Sequence, residues 1–487
     1  MLLKTKSLGI NAMLNSLQNI LNLIFPLITF PYVSRILSVD GVGKYNFANS
    51  IVSYFVLLAS LGISTFAVRE GAKLRNDREA MSKFVSRVFT INLISMIFSY
   101  MILFVMLIMI RDLDKYRVAI LIFSIQIFFN TIGMDWLYTI FEEYGYITTR
   151  NIIFKFISMI LLFLFVRHSN DYLRYVSITV FASAGSYLLN FFHTKKYCDI
   201  KIDIDFNWKY YLVPILIIFA STVAIQIYVS SDTTILGFFK GDYTVGIYGT
   251  SVKIYQMVSQ VLMSMLVVTV PRLAMLMGQH KFREYNRTLR QLVNVMLFII
   301  LPGIVGLFMT SKEIILILAG NKYIRSVASL QILCFAILGS ALSTIFNQCA
   351  LIPTKREKKT LISSSVSAIL NIIINLILIP LYSEIGAALT TVLSQFVMMF
   401  LNYYFSRDIT GFIFKNREIW HNLGTILLGC GGIVITCLLC QCIPNYILQL
   451  FLKVFLSVII YIVVTLALKN TVAVDYLNLF KKKLIKD

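Results

Sequence analysis

The chain has 487 residues, of which 58% are hydrophobic and only 14% are charged, and its formal net charge is +21. Soluble domains are about half apolar and about a quarter charged, so this composition excludes a soluble globule and favours an integral membrane protein. Apolar runs of roughly 20 residues, long enough to cross a bilayer as helices, recur along the chain. We predict fourteen spans, near residues 10–33, 45–68, 84–110, 118–141, 147–166, 172–192, 211–238, 244–270, 291–309, 327–352, 361–382, 385–405, 419–441 and 446–468.

The positive charge is distributed unevenly among the segments that connect these spans. Most lysines and arginines fall in every second connecting segment, beginning with the N-terminal one. Cytoplasmic segments of membrane proteins carry such an excess, so we expect both termini to be cytoplasmic. The charge is thereby explained by membrane topology, and we expect no nucleic acid partner.

A weak internal repeat divides the chain into two halves. The motif VGKY at Val42–Tyr45 returns as VGIY at Val245–Tyr248, 203 residues later, and the same spacing aligns Arg69 with Arg272. An even number of predicted spans separates the copies, so both have one orientation in the membrane. Parallel repeats of this kind are related by an axis along the membrane normal and enclose a cavity. We therefore predict an all-α membrane protein with six-helix bundles at 1–198 and 199–405, and two extra helices with a basic cytoplasmic tail at 406–487.

Lys253 is the strongest candidate for a binding residue. It is the only charged residue between positions 243 and 271, and it lies about nine residues, or roughly 13 Å, from the outer end of its predicted span. A charge at that depth is costly and by default faces a partner or a water-filled cavity. Two interpretations stay open: a cavity cation that attracts an anionic group, or an ion pair with Asp232 of the preceding span. A pair that cargo opens would combine them as a gate.

Four further charged residues are candidates. Arg35, Arg69 and Arg272 lie at span ends, where arginine is usually a snorkelling anchor. Guanidinium also holds phosphate oxygens bidentately, so these arginines are candidate substrate-binding cations as well. Asp135 lies near the inner end of the fourth span, where a carboxylate can take part in a proton or cation relay. A structural carboxylate at the interface beside Trp136 is the simpler interpretation.

Motifs for catalysis or cofactor binding are missing from the sequence. No G-x-x-x-x-G-K-[ST] motif for nucleotide phosphates and no H-E-x-x-H motif for zinc occurs. The cysteine cluster at 430–442 has no nearby histidine or carboxylate and is better explained as small packing residues. We therefore expect no catalytic residue, no metal and no cofactor.

Three segments resemble Wzx-type polysaccharide flippases. They are FPLITFPYVSRIL with the following VDGVGKYNFANSIVSYFVLLASLGI at 25–63, SSDTTILGFFKGDYTVGIYGTSVKI at 230–254, and ALIPTKREKK at 350–359. The resemblance covers essentially the whole chain. It implies the fold of the multidrug/oligosaccharidyl-lipid/polysaccharide exporter superfamily, with two six-helix bundles around a central cavity. It also implies cavity cations, with Lys253 on the matching stretch and Arg35, Arg69 and Arg272 beside matching motifs.

The resemblance further implies cargo, partners and location. The cargo would be an oligosaccharide unit on undecaprenyl pyrophosphate, moved from the inner to the outer leaflet of the bacterial cytoplasmic membrane. Besides membrane lipids, the polymerase and the glycosyltransferases of the same pathway would be partners. From their positions in the predicted spans, we expect Asp232 and Asp135 to serve gating or coupling. The alternatives are a lipid II-type flippase, a cation-coupled drug exporter of the same fold and, in a different class, a membrane-embedded polysaccharide polymerase or glycosyltransferase.

Overall fold

The computed structural model describes residues 8–204 and 207–484, and every regular element in these ranges is helical. The α-helices are α1 (Leu8–Ile36), α2 (Val39–Ser60), α3 (Ile63–Gly71), α4 (Arg78–Met109), α5 (Arg117–Gly133), α6 (Asp135–Ile140), α7 (Tyr144–Phe165), α8 (Tyr172–His193), α9 (Trp208–Gly278), α10 (Phe282–Leu318), α11 (Ser326–Thr344), α12 (Glu357–Thr410), α13 (Arg417–Leu439), α14 (Tyr446–Ala467) and α15 (Thr471–Leu484).

Among the described residues, eleven helices are long and apolar enough to cross a membrane. Two of them, α9 and α12, have 71 and 54 residues, whereas about 20 residues suffice for one crossing. Each is broken once, at Gly241 (φ 79°, ψ −176°) and at Ser383 (φ 54°, ψ −130°), and both breaks fall between predicted spans. Counting each broken helix as two spans and adding α1 brings the total to the predicted fourteen. The predicted all-α membrane fold is confirmed.

Short polar side chains mark where several helices begin. Ser38 Oγ accepts a hydrogen bond from the backbone N–H of Gly41 at the start of α2. Asp77 and Asn445 cap α4 and α14 in the same manner. Because the first N–H groups of a helix have no partner within it, these caps determine where each helix starts.

The chain forms two compact units, one up to Gly246 and one from Ile247 onward. In the first unit, α2 packs against α4 and α5, α5 packs against α8, and α7 packs against α1 and α8. Phe66, Leu137 and Tyr211 belong to a buried apolar cluster that holds the short helices α3 and α6 against α4 and the start of α9. In the second unit, α10 packs against α11, α13 and α14, and α11 packs against α12. The bundle boundaries expected at 198 and 405 stay a prediction.

The two glycines of the repeated motif make reciprocal contacts within the first unit. A β-carbon added to Gly43 would lie 1.8 Å from the carbonyl oxygen of Asp242, and one added to Gly246 would lie 2.2 Å from that of Val39. Val39 precedes Gly43 by four residues, just as Asp242 precedes Gly246. The glycine of each copy therefore contacts the residue four positions before the glycine of the other copy. Two-fold symmetry produces reciprocal contacts of this kind. This geometry supports the internal repeat.

Replacing Gly43 or Gly246 by alanine should destabilise the protein, because the added methyl group would overlap a backbone oxygen. Overpacking costs roughly 1–3 kcal/mol and occasionally more, so each variant should unfold at a lower temperature in detergent. Gly424→Ala is the matched control, since a β-carbon there meets no atom within 4 Å. Equal thermal stability of all three variants would contradict the close approach.

Candidate functional site

Lys253 lies in the part of α9 that belongs to the second unit. Two hydrogen bonds between buried serines and backbone carbonyls hold this part of α9 against α11. Ser251 Oγ donates to the carbonyl oxygen of Ser326 at 2.9 Å, and Ser326 Oγ donates to that of Ile247 at 2.8 Å. The bonds set the rotation of the helix about its axis. They leave Lys253 half-buried, with the exposed Gln256 one turn further on.

Within its own unit, Lys253 makes no hydrogen bond and no ion pair with a described residue. Arg272 is exposed and lies nineteen residues further along the same helix. At 1.5 Å per residue the two positions are roughly 28 Å apart, so they cannot hold one phosphate group together. The predicted cations of this helix therefore belong to different depths in the membrane.

Asp232 lies in the part of α9 that belongs to the first unit, and it is buried. Around it, polar side chains join α9 to α2. Gln226 Nε2 donates to Ser53 Oγ at 2.9 Å, and Thr234 Oγ1 donates to Ser50 Oγ at 3.0 Å. Such bonds hold spanning helices together, since lipid offers no competing partner. The expected ion pair between Asp232 and the lysine of the second unit stays a prediction.

Asp135 begins α6 and belongs to a polar cluster that the sequence did not indicate. Arg150 Nη2 lies 3.1 Å from Asp135 Oδ1, and Asn190 Nδ2 donates to the same oxygen at 2.7 Å. Arg150 also donates to Asn190 Oδ1 and is almost fully buried. The sequence signal that could have revealed this cluster is Arg150 itself, because it lies inside the predicted fifth span, where a charge needs a partner. A coupling role for Asp135 stays a prediction.

Arg35 and Arg69 lie in the last turns of α1 and α3, and both are exposed. Arg69 Nε lies 3.0 Å from Glu70 Oε1. An exposed arginine at a helix end fits an interfacial anchor and a phosphate ligand equally well. The structure places these two residues on different helices of the first unit, and their binding role stays a prediction.

A buried ion pair in the second unit was missed. Lys453 Nζ of α14 lies 2.7 Å from Glu313 Oε1 of α10, and the two residues are 2% and 4% exposed. Lys453 is the same kind of signal as Lys253, a charge within an apolar span. Glu313 was expected in a connecting loop at 310–326, which is wrong because α10 continues to Leu318. The lysine neutralises the carboxylate of Glu313, so α10 can continue past this buried residue to Leu318.

A family model described as "Polysaccharide biosynthesis protein" matches residues 8–277, more than half of the chain. The chain belongs to the polysaccharide biosynthesis protein family. A second model, MatE, matches residues 214–377. The resemblance to polysaccharide flippases that three sequence segments indicated is thereby confirmed.

This polysaccharide biosynthesis protein is similar to the capsular polysaccharide biosynthesis protein CapF of Staphylococcus aureus. The two are 26% identical over 399 residues, which are 80% of this chain and 97% of the relative. Among solved structures, its fold is similar to that of the lipid II flippase MurJ in an inward closed conformation, with a TM-score of 0.77 and 14% identity, covering 95% of this chain and 99% of that one.

A multidrug resistance MATE family transporter of the MOP superfamily, in an inward-facing conformation, shares the fold as well. Its TM-score is 0.60 and its identity 12%, covering 81% of this chain and 99% of that one. The protein thus shares its fold with a lipid II flippase and a MATE family transporter. A further relative, 22% identical over 396 residues, which are 80% of this chain and 94% of the relative, is named a putative O-antigen transporter of Escherichia coli (strain K12) rather than an enzyme. The chain is therefore a multi-pass membrane protein of polysaccharide biosynthesis.

Proposed function

We propose that this polysaccharide biosynthesis protein is a flippase for undecaprenyl-pyrophosphate-linked oligosaccharide repeat units. It would move them by alternating access from the inner to the outer leaflet of the bacterial cytoplasmic membrane, with both termini cytoplasmic, as the charge distribution indicates. The observation that carries the proposal is Lys253, a half-buried cation in a spanning helix that makes no ion pair with a described residue of its unit.

The chemistry of the cargo fits such a cation. A lipid-linked pyrophosphate is negatively charged, and its glycan cannot leave water for hydrocarbon without a large free-energy cost. A positive charge beside a water-filled path lowers that cost, because Coulomb attraction is stronger where the surroundings are less polar than bulk water. Lys253 would meet the pyrophosphate near the middle of the membrane, and Arg35, Arg69 and Arg272 would meet it near the helix ends.

Two other cargoes are compatible with the same fold. The match to the MatE model over 214–377 favours a drug exporter, but the export of cationic drugs calls for an uncompensated carboxylate in the cavity rather than a lysine. The fold of MurJ favours lipid II. The similarity to a capsular polysaccharide protein over 80% of the chain supports an oligosaccharide cargo instead.

The test is deletion of the gene in its host, followed by analysis of the lipid-linked oligosaccharide. We expect surface polysaccharide to be lost, and single repeat units on undecaprenyl pyrophosphate to accumulate where a membrane-impermeant glycosidase or lectin cannot reach them. Complementation with the full chain should restore both.

Each alternative gives a different result. Loss of a polymerase would leave single repeat units accessible from outside, and loss of a lipid II flippase would arrest peptidoglycan synthesis. A drug exporter would leave surface polysaccharide intact and increase sensitivity to cationic drugs. Unchanged surface polysaccharide in the deletion strain would refute the proposed cargo.

A further inference from the structure

A polar cavity lies in the second unit, where the end of α10 and the start of α11 meet the turn between α13 and α14. Its volume is about 680 Å³, within the range of about 300–1,000 Å³ that is typical of sites for small ligands. By the predicted topology, this turn lies at the outer face of the membrane. The polar residues that line the cavity include Lys312, Glu313, Gln331, Gln441, Gln449 and Lys453.

The cavity offers acceptors that have no partner among the described residues. Glu313 Oε1 binds Lys453, but the buried Oε2 of Glu313 receives no hydrogen bond. Gln331 and Gln449 donate through Nε2 to backbone carbonyl oxygens, which leaves their amide oxygens available. A buried carboxylate oxygen without a donor is uncommon and calls for one. The lining therefore suits a ligand that carries hydroxyl groups.

The charge of the lining is positive. Glu313 neutralises Lys453, and Lys312 is exposed and makes no ion pair with a described residue. One uncompensated lysine at the mouth of the cavity attracts an anionic group. The complementary ligand thus combines a negative charge with hydroxyl groups.

An apolar groove of about 470 Å³ adjoins this cavity along α10, α13 and α14. Lys453 lines both the groove and the cavity. The groove is lined mainly by apolar side chains, aliphatic and aromatic, and by two glycines of α10, Gly303 and Gly306. A polar cavity that continues into an apolar groove is complementary to an amphiphile, with a head group on one side and an acyl chain on the other.

We propose that the cavity and the groove together bind one anionic phospholipid whose head group bears hydroxyls, as in phosphatidylglycerol. The phosphate lies near Lys312, a head-group hydroxyl donates to Glu313 Oε2, and one acyl chain occupies the groove. The lipid belongs to the leaflet at the turn between α13 and α14, and its binding does not depend on the cargo proposed above.

The test uses the purified full chain in detergent, titrated with phosphatidylglycerol or with phosphatidylcholine of the same acyl chains and followed by native mass spectrometry. We expect one phosphatidylglycerol to be retained in preference to phosphatidylcholine. Lys312→Gln should weaken its binding about fivefold, the effect of one lysine near an anionic head group. Gly306→Leu should abolish retention by filling the groove, where a β-carbon meets no atom within 4 Å.

Two control variants match these changes. Lys240→Gln removes an exposed lysine of the first unit, and Gly431→Leu adds the same side chain to α13 where a β-carbon also meets no atom within 4 Å. Neither residue lines the cavity or the groove, so both variants should bind phosphatidylglycerol like the unmodified chain. Equal retention of the two lipids, or unchanged binding by Lys312→Gln or Gly306→Leu, would overturn the proposal. If glycerol 3-phosphate bound as tightly as the lipid, the groove would contribute nothing to binding, and the proposed site for the acyl chain would be refuted.

Discussion

Lys253→Ala is expected to abolish polysaccharide export while the protein still folds and inserts. Losing one partner of a desolvated charge pair costs roughly 2–5 kcal/mol, which corresponds to about thirtyfold or more in affinity. Lys253 has no ion-pair partner among the described residues of its unit. Its removal therefore leaves no carboxylate of that unit without its cation, and the variant should fold. Lys253→Arg should keep part of the activity because it keeps the charge. Surface polysaccharide in a complemented deletion strain, normalised to the amount of membrane protein, is the measurement.

The matched control for this prediction is Gln256→Ala. Gln256 is an exposed polar residue one turn further along the same helix, but it carries no charge. We expect it to export at near-normal levels, so that a loss in Lys253→Ala is due to the charge and not to a changed helix surface. Normal export by Lys253→Ala at normal protein levels would refute the role of this lysine and would leave Arg35, Arg69 and Arg272 as candidate ligands.

Lys453→Met is expected to destabilise the protein by roughly 3–5 kcal/mol, because it leaves the buried carboxylate of Glu313 without its cation. Replacing both residues with apolar ones, Lys453→Met with Glu313→Leu, should recover most of that loss. Two apolar side chains of similar volume need no compensation in a buried site. The measurement is a double-mutant cycle on thermal unfolding in detergent, and a coupling of up to roughly 3 kcal/mol is expected.

Lys358→Met serves as the control, since Lys358 is an exposed lysine of α12 for which no ion pair with a described residue occurs. Its stability should stay within about 0.5 kcal/mol of the unmodified chain. Additive losses in the double variant would show that Lys453 and Glu313 contribute independently, and the pair would then not account for the continuation of α10 to Leu318.

The membrane fold could be predicted from the sequence because hydropathy acts locally. In lipid every backbone polar group needs a partner within its own helix, so each apolar run of sufficient length becomes one span. The two breaks, at Gly241 and Ser383, fall where short polar gaps interrupt the runs. The repeated motif was also visible in the sequence. The structure explains its glycines, since only glycine allows another backbone to come as close as it does at Gly43 and Gly246.

The sequence by itself identified Lys253 as a charge within a span that needs a partner or water, and Lys453 and Arg150 also lie within predicted spans. Which partners Lys453 and Arg150 meet was decided by tertiary packing alone. Glu313 lies 140 residues from Lys453 along the chain, and the two become neighbours only because α14 packs against α10. The free energy of placing a helix in lipid is a sum over its own residues, so it can be read from the sequence. The free energy of a buried charge depends on the atoms around it, and these belong to helices that are distant along the chain.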